Sequence, residues 1–155
     1  MYDVIELGGG EHPKYHPNLD AVYGDIQKDV RHGLPFDAES VKRIVSYDVL
    51  EHFTFEEALA LLRECRRVLT EDGELEFIVP DMEEAIKANP EWCDHLRNVV
   101  YGTRRDRFDI HKMWWSKDLA RYVLAKEGWV VTVEPSLHGG EQRQPKFRIF
   151  AVKRW

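Results

Sequence analysis

The sequence has 155 residues, of which 43% are hydrophobic and 32% are charged, and its formal net charge is −6 at pH 7. This length suits one domain with a substantial core, and the composition is that of a globular protein, which excludes low-complexity and fibrous classes. The acidic balance argues against broad nucleic-acid binding. We therefore expect a single domain over residues 1–155.

The sequence carries no targeting or metal signal. It lacks a signal peptide and any apolar run long enough to span a bilayer, which predicts a cytoplasmic protein with no membrane partner. Cys65 and Cys93 fall in amphipathic segments without metal-type spacing, and we interpret both as reduced core thiols. His12 and His16 have no third ligand nearby, so no metal is predicted.

The first predicted strand ends in a glycine turn. The apolar run from Val4 to Leu7 is followed by Gly8, Gly9 and Gly10. In open α/β sheets, ligands bind outside the carboxyl ends of the strands, and glycines expose the backbone there. A flexible turn is an equally common interpretation of three glycines. The spacings of dinucleotide-binding and P-loop motifs are not met, so a ligand here would lack a pyrophosphate.

The next segment predicts short strands joined by loops. Two prolines between Gly10 and Asn18 forbid a regular helix, so this connection must be a loop. Residues 18–22 form a short strand, and residues 25–30 bring another acid to a third strand or its edge. Leu34 and Phe36 are buried around Pro35, and residues 41–50 contain the fourth strand.

The clearest helix begins after Thr54, which makes a capping box with Glu57. One continuous apolar stripe follows, made of Ala58, Leu61, Leu62, Cys65 and Leu69. A turn is predicted at Asp72–Gly73. Residues 75–79 then form a strand that Pro80 stops.

The second half predicts two helices and two strands. One helix begins at Asn89 and Pro90, and the other is capped by Ser116 and ends at Gly128; residues 102–115 between them show no periodicity. Strands are predicted over residues 129–133 and 147–152. The inward side chains predicted for the helices are Trp92, Leu96, Val99 and Val100, then Leu119, Tyr122 and Val123. This order predicts a three-layer α/β fold with one antiparallel terminal strand.

Taken together, the ordered motifs resemble a known family. They are Glu6 to Gly10, Leu34-Pro35-Phe36, Ser46 to His52, Leu62 to Leu69, Asp72-Gly73 and Val79-Pro80-Asp81. The set is similar to small S-adenosylmethionine-dependent methyltransferases of the Rossmann-like class, type 11-like, in a short form that begins at its first strand. The resemblance covers residues 3–82. It implies a mostly parallel sheet with an antiparallel C-terminal strand and without the usual N-terminal helices.

The resemblance implies a binding site for S-adenosylmethionine, a nucleoside without phosphate. Asp20 would bind the ribose hydroxyls, and Glu6 would favour the cationic sulfonium electrostatically. Asp29 and the N–H of Val30 would face the adenine edge. The methionine part would lie against the remaining residues, which are Gly8, Gly9, Gly10, Ser46 and Tyr47.

The resemblance also suggests where catalysis and acceptor binding take place. Asp48 and His52 follow the fourth strand near the expected methyl group and are the candidate catalytic residues, although a cap or packing role is the alternative for each. His111, Trp114 and Trp115 are the candidate acceptor pocket, with an ordinary core cluster as the alternative.

Three functions follow from these residues. The leading hypothesis is in-line methyl transfer to a small molecule or a sugar or lipid precursor. The alternative is a non-catalytic module on the same fold that binds S-adenosylmethionine or a partner. A third interpretation is RNA association through the basic residues Arg104, Arg105, Arg107 and Lys153 to Trp155, which the overall acidity disfavours. A homodimer or a partner is expected to cover the N-terminal edge.

Overall fold

The computed structural model describes residues 1–88, 94–104, 108–136 and 145–153. These ranges contain seven strands and four α-helices. The strands are β1 (Ile5–Leu7), β2 (Asn18–Asp20), β3 (Ile26–Gln27), β4 (Val41–Tyr47), β5 (Leu69–Pro80), β6 (Trp129–Ser136) and β7 (Lys146–Lys153). The helices are α1 (Phe55–Val68), α2 (Met82–Ala88), α3 (Asp94–Tyr101) and α4 (Lys117–Lys126).

All seven strands form one sheet in the order β3-β2-β1-β4-β5-β7-β6. The pairings from β3 to β5 are parallel, and β7 runs antiparallel to both of its neighbours, β5 and β6. The predicted fold class is confirmed, including the single antiparallel strand near the C-terminus. The carboxyl ends of β1, β2 and β4 consequently meet at one edge of the sheet.

The main core lies between one face of the sheet and helices α1 and α4. Register partners share a face, so Ile5 on β1 lines up with Ile44 on β4, Leu75 on β5 and Ala151 on β7. All four side chains are fully buried. They pack in one cluster with the apolar side chains of α1 and α4. Arg63 of α1 also donates two hydrogen bonds to Glu127, the residue that follows α4.

The opposite, more polar face of the sheet carries charged side chains together with the buried Val45 and Ile78. The Arg43 and Arg148 guanidinium groups bind the Glu76 carboxylate at 2.8 and 3.0 Å, and Arg148 also binds Glu134 at 2.9 Å. Near β1 this face is covered by the loop of residues 8–17, where Lys14 lies 4.4 Å from the centroid of the Tyr47 ring. In the described residues before α1 the only helical segments are two 3₁₀ turns, and a loop joins β1 to β2.

Helix α1 forms for the reasons that its sequence predicts. The Thr54 hydroxyl accepts a hydrogen bond from the Glu57 N–H, and the Glu57 carboxylate accepts one from the Thr54 N–H, which confirms the capping box. Every member of the predicted apolar stripe is buried, although Leu69 lies just beyond the helix, at the start of β5. Cys65 is a free, buried thiol as predicted, and Cys93 lies outside the described residues.

Two local predictions are wrong. Asp72 and Gly73 lie inside β5, where the pairing with β4 jumps from Val41–Leu69 to Arg43–Glu74, so the extra residues bulge from the strand instead of ending it. Tyr122 is 63% exposed because the buried stripe of α4 consists of Ala120, Val123 and Leu124. The tyrosine lies off that stripe.

Helices α2 and α3 form a second, smaller cluster. Met82 and Ala85 of α2 pack with Leu96, Val99 and Val100 of α3, apart from the main core. Helix α2 was not predicted, and the proposed start of the next helix at Asn89, together with Trp92, lies outside the described residues. Within the described ranges, no helix combines the length and the apolar character that crossing a bilayer demands.

Candidate functional site

A cleft of about 250 Å³ opens at the carboxyl ends of the parallel strands. It is lined by the predicted residues Gly8, Gly10, Asp20, Asp29, Val30, Asp48 and His52. These residues come from the ends of β1, β2, β3 and β4, so the sheet brings together positions up to 44 residues apart in the chain. This is the location where open α/β sheets bind their ligands.

The glycine turn has the backbone geometry that only glycine adopts readily. Gly8 has φ +71° and Gly10 has φ +60°. A Cβ on Gly8 would lie 2.3 Å from Cγ2 of Val49, whereas a Cβ on Gly10 would meet no atom within 4 Å. Gly8 therefore permits close packing beneath the turn, and Gly10 presents bare backbone to the cleft.

Two polar side chains of β2 hold this turn in place. The Asn18 amide oxygen accepts a hydrogen bond from the Gly9 N–H at 2.9 Å. The Asp20 carboxylate accepts one from the Gly10 N–H at 3.3 Å through Oδ2, and two from Val22 and Tyr23 through Oδ1. Because a carboxylate has about four acceptor positions, Oδ2 of Asp20 retains capacity for a ligand hydroxyl. Asn18 was not predicted, although a polar residue opening a short apolar strand is a usable signal.

Arg31 holds the Asp29 side chain in place. Its carboxylate accepts hydrogen bonds from the backbone N–H and the guanidinium of Arg31, which lowers the pKa of Asp29 below its ordinary value. Arg31 in turn lies 3.8 Å from Glu57, and Glu57 binds Lys112 at 3.1 Å. This chain of charges closes one side of the cleft, where Phe108 lies beneath the Arg31 guanidinium.

Four predicted cofactor residues are not among those that line the cleft. Glu6 is 3% exposed, and its carboxylate accepts hydrogen bonds from the backbone N–H groups of Lys14 and Tyr15. Gly9 faces Glu6 and Asn18, and the Ser46 hydroxyl donates to the carbonyl of Leu7. Tyr47 lies on the polar face, where burial and nearby Glu76 raise its pKa to about 12. Alternation along a strand sends Glu6 and Tyr47 to that face.

Asp48 sits at a sharp backbone bend at the end of β4, with φ +55°. One carboxylate oxygen, Oδ2, pairs with the Lys146 ammonium of β7 at 2.5 Å. The other, Oδ1, is buried without a hydrogen-bond partner in the described part of the chain. Asp48 is therefore anchored on one side and has acceptor capacity on the other.

The predicted acceptor residues lie beside the cleft, not in its lining. His111, Trp114 and Trp115 border a second, small cavity of about 10 Å³ together with Glu51. Trp115 is 2% exposed and donates to the carbonyl of Leu50, whereas Trp114 is 49% exposed. The rings of His52 and His111 meet edge to face with centroids 4.8 Å apart, which connects the two cavities.

Several lining residues were not predicted because nothing in the sequence links them to the turn. They are Lys28, Arg31, Val49, Phe53, Phe108, Asp109, Lys112 and, after β2, residues 21–23. Of the basic residues considered for RNA, Arg104 stacks on Tyr101 and Lys153 donates to the carbonyl of Leu69. Arg105, Arg107, Arg154 and Trp155 lie outside the described residues.

Residues 11–77 match a family model described as a methyltransferase domain. The match begins just after the glycine turn and includes the Asp48 bend, α1 and most of β5. No curated protein matches the chain in sequence.

Solved structures of methyltransferases share the fold over nearly the whole chain. DhpI in complex with S-adenosylhomocysteine has a TM-score of 0.64 at 17% identity, with 99% of this chain and 77% of that chain covered. A chain from the complex of the Haloferax volcanii Trm112 methyltransferase activator with a methyltransferase has a TM-score of 0.66 at 16% identity, covering 99% and 82%. An S-adenosylmethionine-dependent methyltransferase from Thermotoga maritima has a TM-score of 0.68 at 14% identity, covering 98% and 82%.

These comparisons confirm the resemblance, the fold and the enzyme class predicted from the sequence, and they support S-adenosylmethionine as the cofactor. Residues 11–77 thus match a methyltransferase domain, and the chain has the fold of S-adenosylmethionine-dependent methyltransferases of the Rossmann-like class.

Proposed function

We propose that this domain transfers the methyl group of S-adenosylmethionine to a small-molecule acceptor by in-line displacement. The observation that carries the proposal is the shared cleft of Gly8, Gly10 and Asp20, in which the Asp20 carboxylate lies 3.3 Å from the Gly10 N–H. A bare backbone turn and an oriented carboxylate thus stand side by side, as a nucleoside with a short charged tail requires.

The cofactor would lie along this cleft with its ribose hydroxyls on Asp20. Oδ2 is the oxygen with remaining acceptor capacity, because Oδ1 already accepts two backbone hydrogen bonds. The methionine part would lie against Gly8 and Gly10. The adenine would lie near Asp29 and Val30. In this arrangement the adenine is flanked by the Phe108 side of the cleft, which offers an aromatic surface for packing.

The charges of the cleft suit a cationic sulfonium. Four aspartates line it (Asp20, Asp29, Asp48 and Asp109), against three basic side chains (Lys28, Arg31 and Lys112). Arg31 is paired with Asp29, Lys112 with Glu57, and Asp48 with Lys146 from outside the lining, so the lining itself has one more acidic than basic side chain. Opposite charges nearby favour the charged form of a ligand, most strongly where water is excluded.

Catalysis would depend mainly on alignment. Holding the acceptor atom in line with the sulfur–methyl bond can supply roughly 7–11 kcal/mol of the barrier. Asp48 and His52 both line the cleft, and either can accept a proton from an acceptor that needs deprotonation. Burial lowers the pKa of His52, which favours the neutral imidazole that a base requires.

The acceptor would approach from the side of His111, Trp114 and Trp115. These residues adjoin the cleft through the contact between His111 and His52. The acceptor can be a small molecule or a sugar or lipid precursor. The alternative of a non-catalytic module is not favoured, because the cleft retains both the glycine turn and the two candidate catalytic side chains.

We also propose that this domain binds a second copy of itself or a partner protein. One of the similar structures is a methyltransferase in a complex with an activator protein. On the present chain, a second copy or a partner would cover the N-terminal edge of the sheet, on the side of β1, β2 and β3. Light scattering coupled to size-exclusion chromatography would measure the mass of the particle in solution.

The binding step is tested by calorimetric titration with S-adenosylhomocysteine. The Asp20→Asn variant should bind about 10- to 100-fold more weakly, since a hydrogen bond to a charged group is worth roughly 1.5–3 kcal/mol. Asp118→Asn is the matched control, because the Asp118 side chain is 96% exposed on α4, away from the cleft. Absence of binding to the wild-type protein would refute the proposal, as would equal losses in the two variants.

A further inference from the structure

Three potential metal ligands converge between the two cavities. Glu51, His52 and His111 each present one ligand atom, and these three atoms all lie within 4.8 Å of one another. His52 lines the larger cleft, whereas Glu51 and His111 border the smaller cavity. This group was not predicted, because His111 lies 59 positions after His52 in the chain.

The Glu51 carboxylate is buried without a partner. Glu51 is 3% exposed, and neither of its carboxylate oxygens has a hydrogen-bond partner among the described residues. Its backbone carbonyl accepts the N–H groups of Lys112 and Met113, which fixes this residue against the segment that carries His111. Buried polar groups without any partner are rare in proteins, and a bound ion that satisfies them is one explanation.

Both imidazoles are held at Nδ1 by backbone carbonyls. Nδ1 of His52 lies 3.2 Å from the carbonyl oxygen of Ile110, and Nδ1 of His111 lies 2.7 Å from that of Val99. A carbonyl oxygen only accepts, so Nδ1 carries the hydrogen in each ring and the Nε2 lone pair is left for a ligand. Metal-binding histidines are held in this way in most sites.

We propose that Glu51, His52 and His111 form a binding site for one divalent transition-metal ion, of which Zn²⁺ is the best match. With bonds of about 2.0–2.2 Å, tetrahedral ligands lie about 3.4 Å apart, so closing the widest separation by about 1.4 Å is sufficient. Two imidazoles and one carboxylate suit zinc or a similar ion better than magnesium. Three protein ligands leave one position open, and His52 places it beside the larger cleft.

The open position has a consequence that rests on the proposed function. With His52 coordinated, the ion would take over the role of a base: an acceptor hydroxyl bound to it would have a lowered pKa and lose its proton to water. The oxygen–methyl bond then forms as the sulfur–methyl bond breaks, and the electron pair of the broken bond stays on sulfur, giving S-adenosylhomocysteine. The site thus selects an acceptor that coordinates through oxygen.

Metal binding is measured on the full chain after removal of metals with a chelator and dialysis. Zn²⁺ is titrated against a chromophoric chelator, and Co²⁺ is followed by its visible absorption. We expect one ion per chain. Glu51→Gln and His111→Gln should each lower the affinity at least about 10-fold. His32→Ala is the matched control, since the His32 side chain is 77% exposed outside the group.

Glu51→Gln is nearly isosteric, and circular dichroism together with S-adenosylhomocysteine titration reports whether each variant is folded. Stoichiometric Zn²⁺ binding that is lost in the Glu51 and His111 variants and kept in the His32 variant supports the site. No binding to the wild-type chain, or equal loss in the His32 variant, overturns it. The S-adenosylhomocysteine titration of metal-free protein separately tests the proposed function, so either idea can fail alone.

Discussion

The glycine turn offers the sharpest test of the structure, because two of its glycines differ in one respect. Gly8 and Gly10 both have left-handed backbone, which costs an alanine about 1–2 kcal/mol. Only at Gly8 would the new Cβ meet a neighbour, Cγ2 of Val49 at 2.3 Å, and overpacking adds about 1–3 kcal/mol. We therefore expect Gly8→Ala to lower the free energy of unfolding by about 2–5 kcal/mol and Gly10→Ala by about 1–2 kcal/mol.

Urea unfolding followed by circular dichroism measures the free energy of unfolding of both variants, extrapolated to zero urea in the same way. A double-mutant cycle isolates the steric part: in a Val49→Ala background, Gly8→Ala should cost only the backbone share of about 1–2 kcal/mol. Equal destabilisation by the two alanines, or a cycle without coupling between positions 8 and 49, would refute the steric reasoning.

Gly10→Ala can also test ligand binding separately from stability. The Cβ of Gly10→Ala would meet open space in a residue that lines the cleft, so this variant stays folded but obstructs a ligand lying on the turn. One misplaced methyl group is worth about 10- to 200-fold in affinity. S-adenosylhomocysteine should bind Gly10→Ala more weakly by such a factor, and unchanged affinity would show that the ligand does not lie against this residue.

Three further predictions concern the cap, the thiol and the acid side of the stability curve. Thr54→Ala should lower the free energy of unfolding by about 0.5–2 kcal/mol in urea titrations, and Thr54→Ser, which keeps the hydroxyl, should lose little. Burial raises the pKa of the Cys65 thiol, so in a Cys93→Ser variant a thiol reagent should react only after unfolding; fast labelling of the native protein would contradict the burial. Because Arg31 lowers the folded-state pKa of Asp29, this carboxylate stabilises the protein above its unfolded pKa of about 3.9, and the benefit is lost as the pH falls through the folded pKa. Unfolding measured from pH 7 to pH 3 should show the advantage of wild type over Asp29→Asn shrinking below about pH 4, and a constant difference would contradict this linkage.

Much of the fold could be predicted from local pattern. The capping box at Thr54 and the apolar stripe of α1 are short-range signals, and both are confirmed. The prolines between Gly10 and Asn18 correctly indicated a loop between two parallel strands. Errors arose where tertiary packing decides: the bulge in β5 depends on pairing with β4, and the orientation of Tyr122 depends on which side of α4 meets the sheet.

The site could be predicted only where glycines or an acidic residue directly follow a predicted strand. The turn at Gly8–Gly10 and the acid at Asp20 follow directly after short strands, and the sheet brings them into one cleft. Glu6 was expected beside the cofactor because it precedes the glycines, yet the two-residue alternation of β1 directs it to the loop of residues 8–17. The group of Glu51, His52 and His111 depends on a long-range approach that no spacing in the sequence reveals.

The Asn18 and Asp20 bonds to the glycine turn have a consequence for how the protein responds to its ligand. Residues 8–32 are held by side chains that bind backbone groups and by strands of two or three residues, with no α-helix in the described chain before Phe55. Such a region opens locally at a lower free energy than a core of long helices and strands. Occupancy by a nucleoside should therefore slow amide hydrogen exchange here far more than in α1 or β5, and the ambient ligand concentration would set how well ordered this segment is.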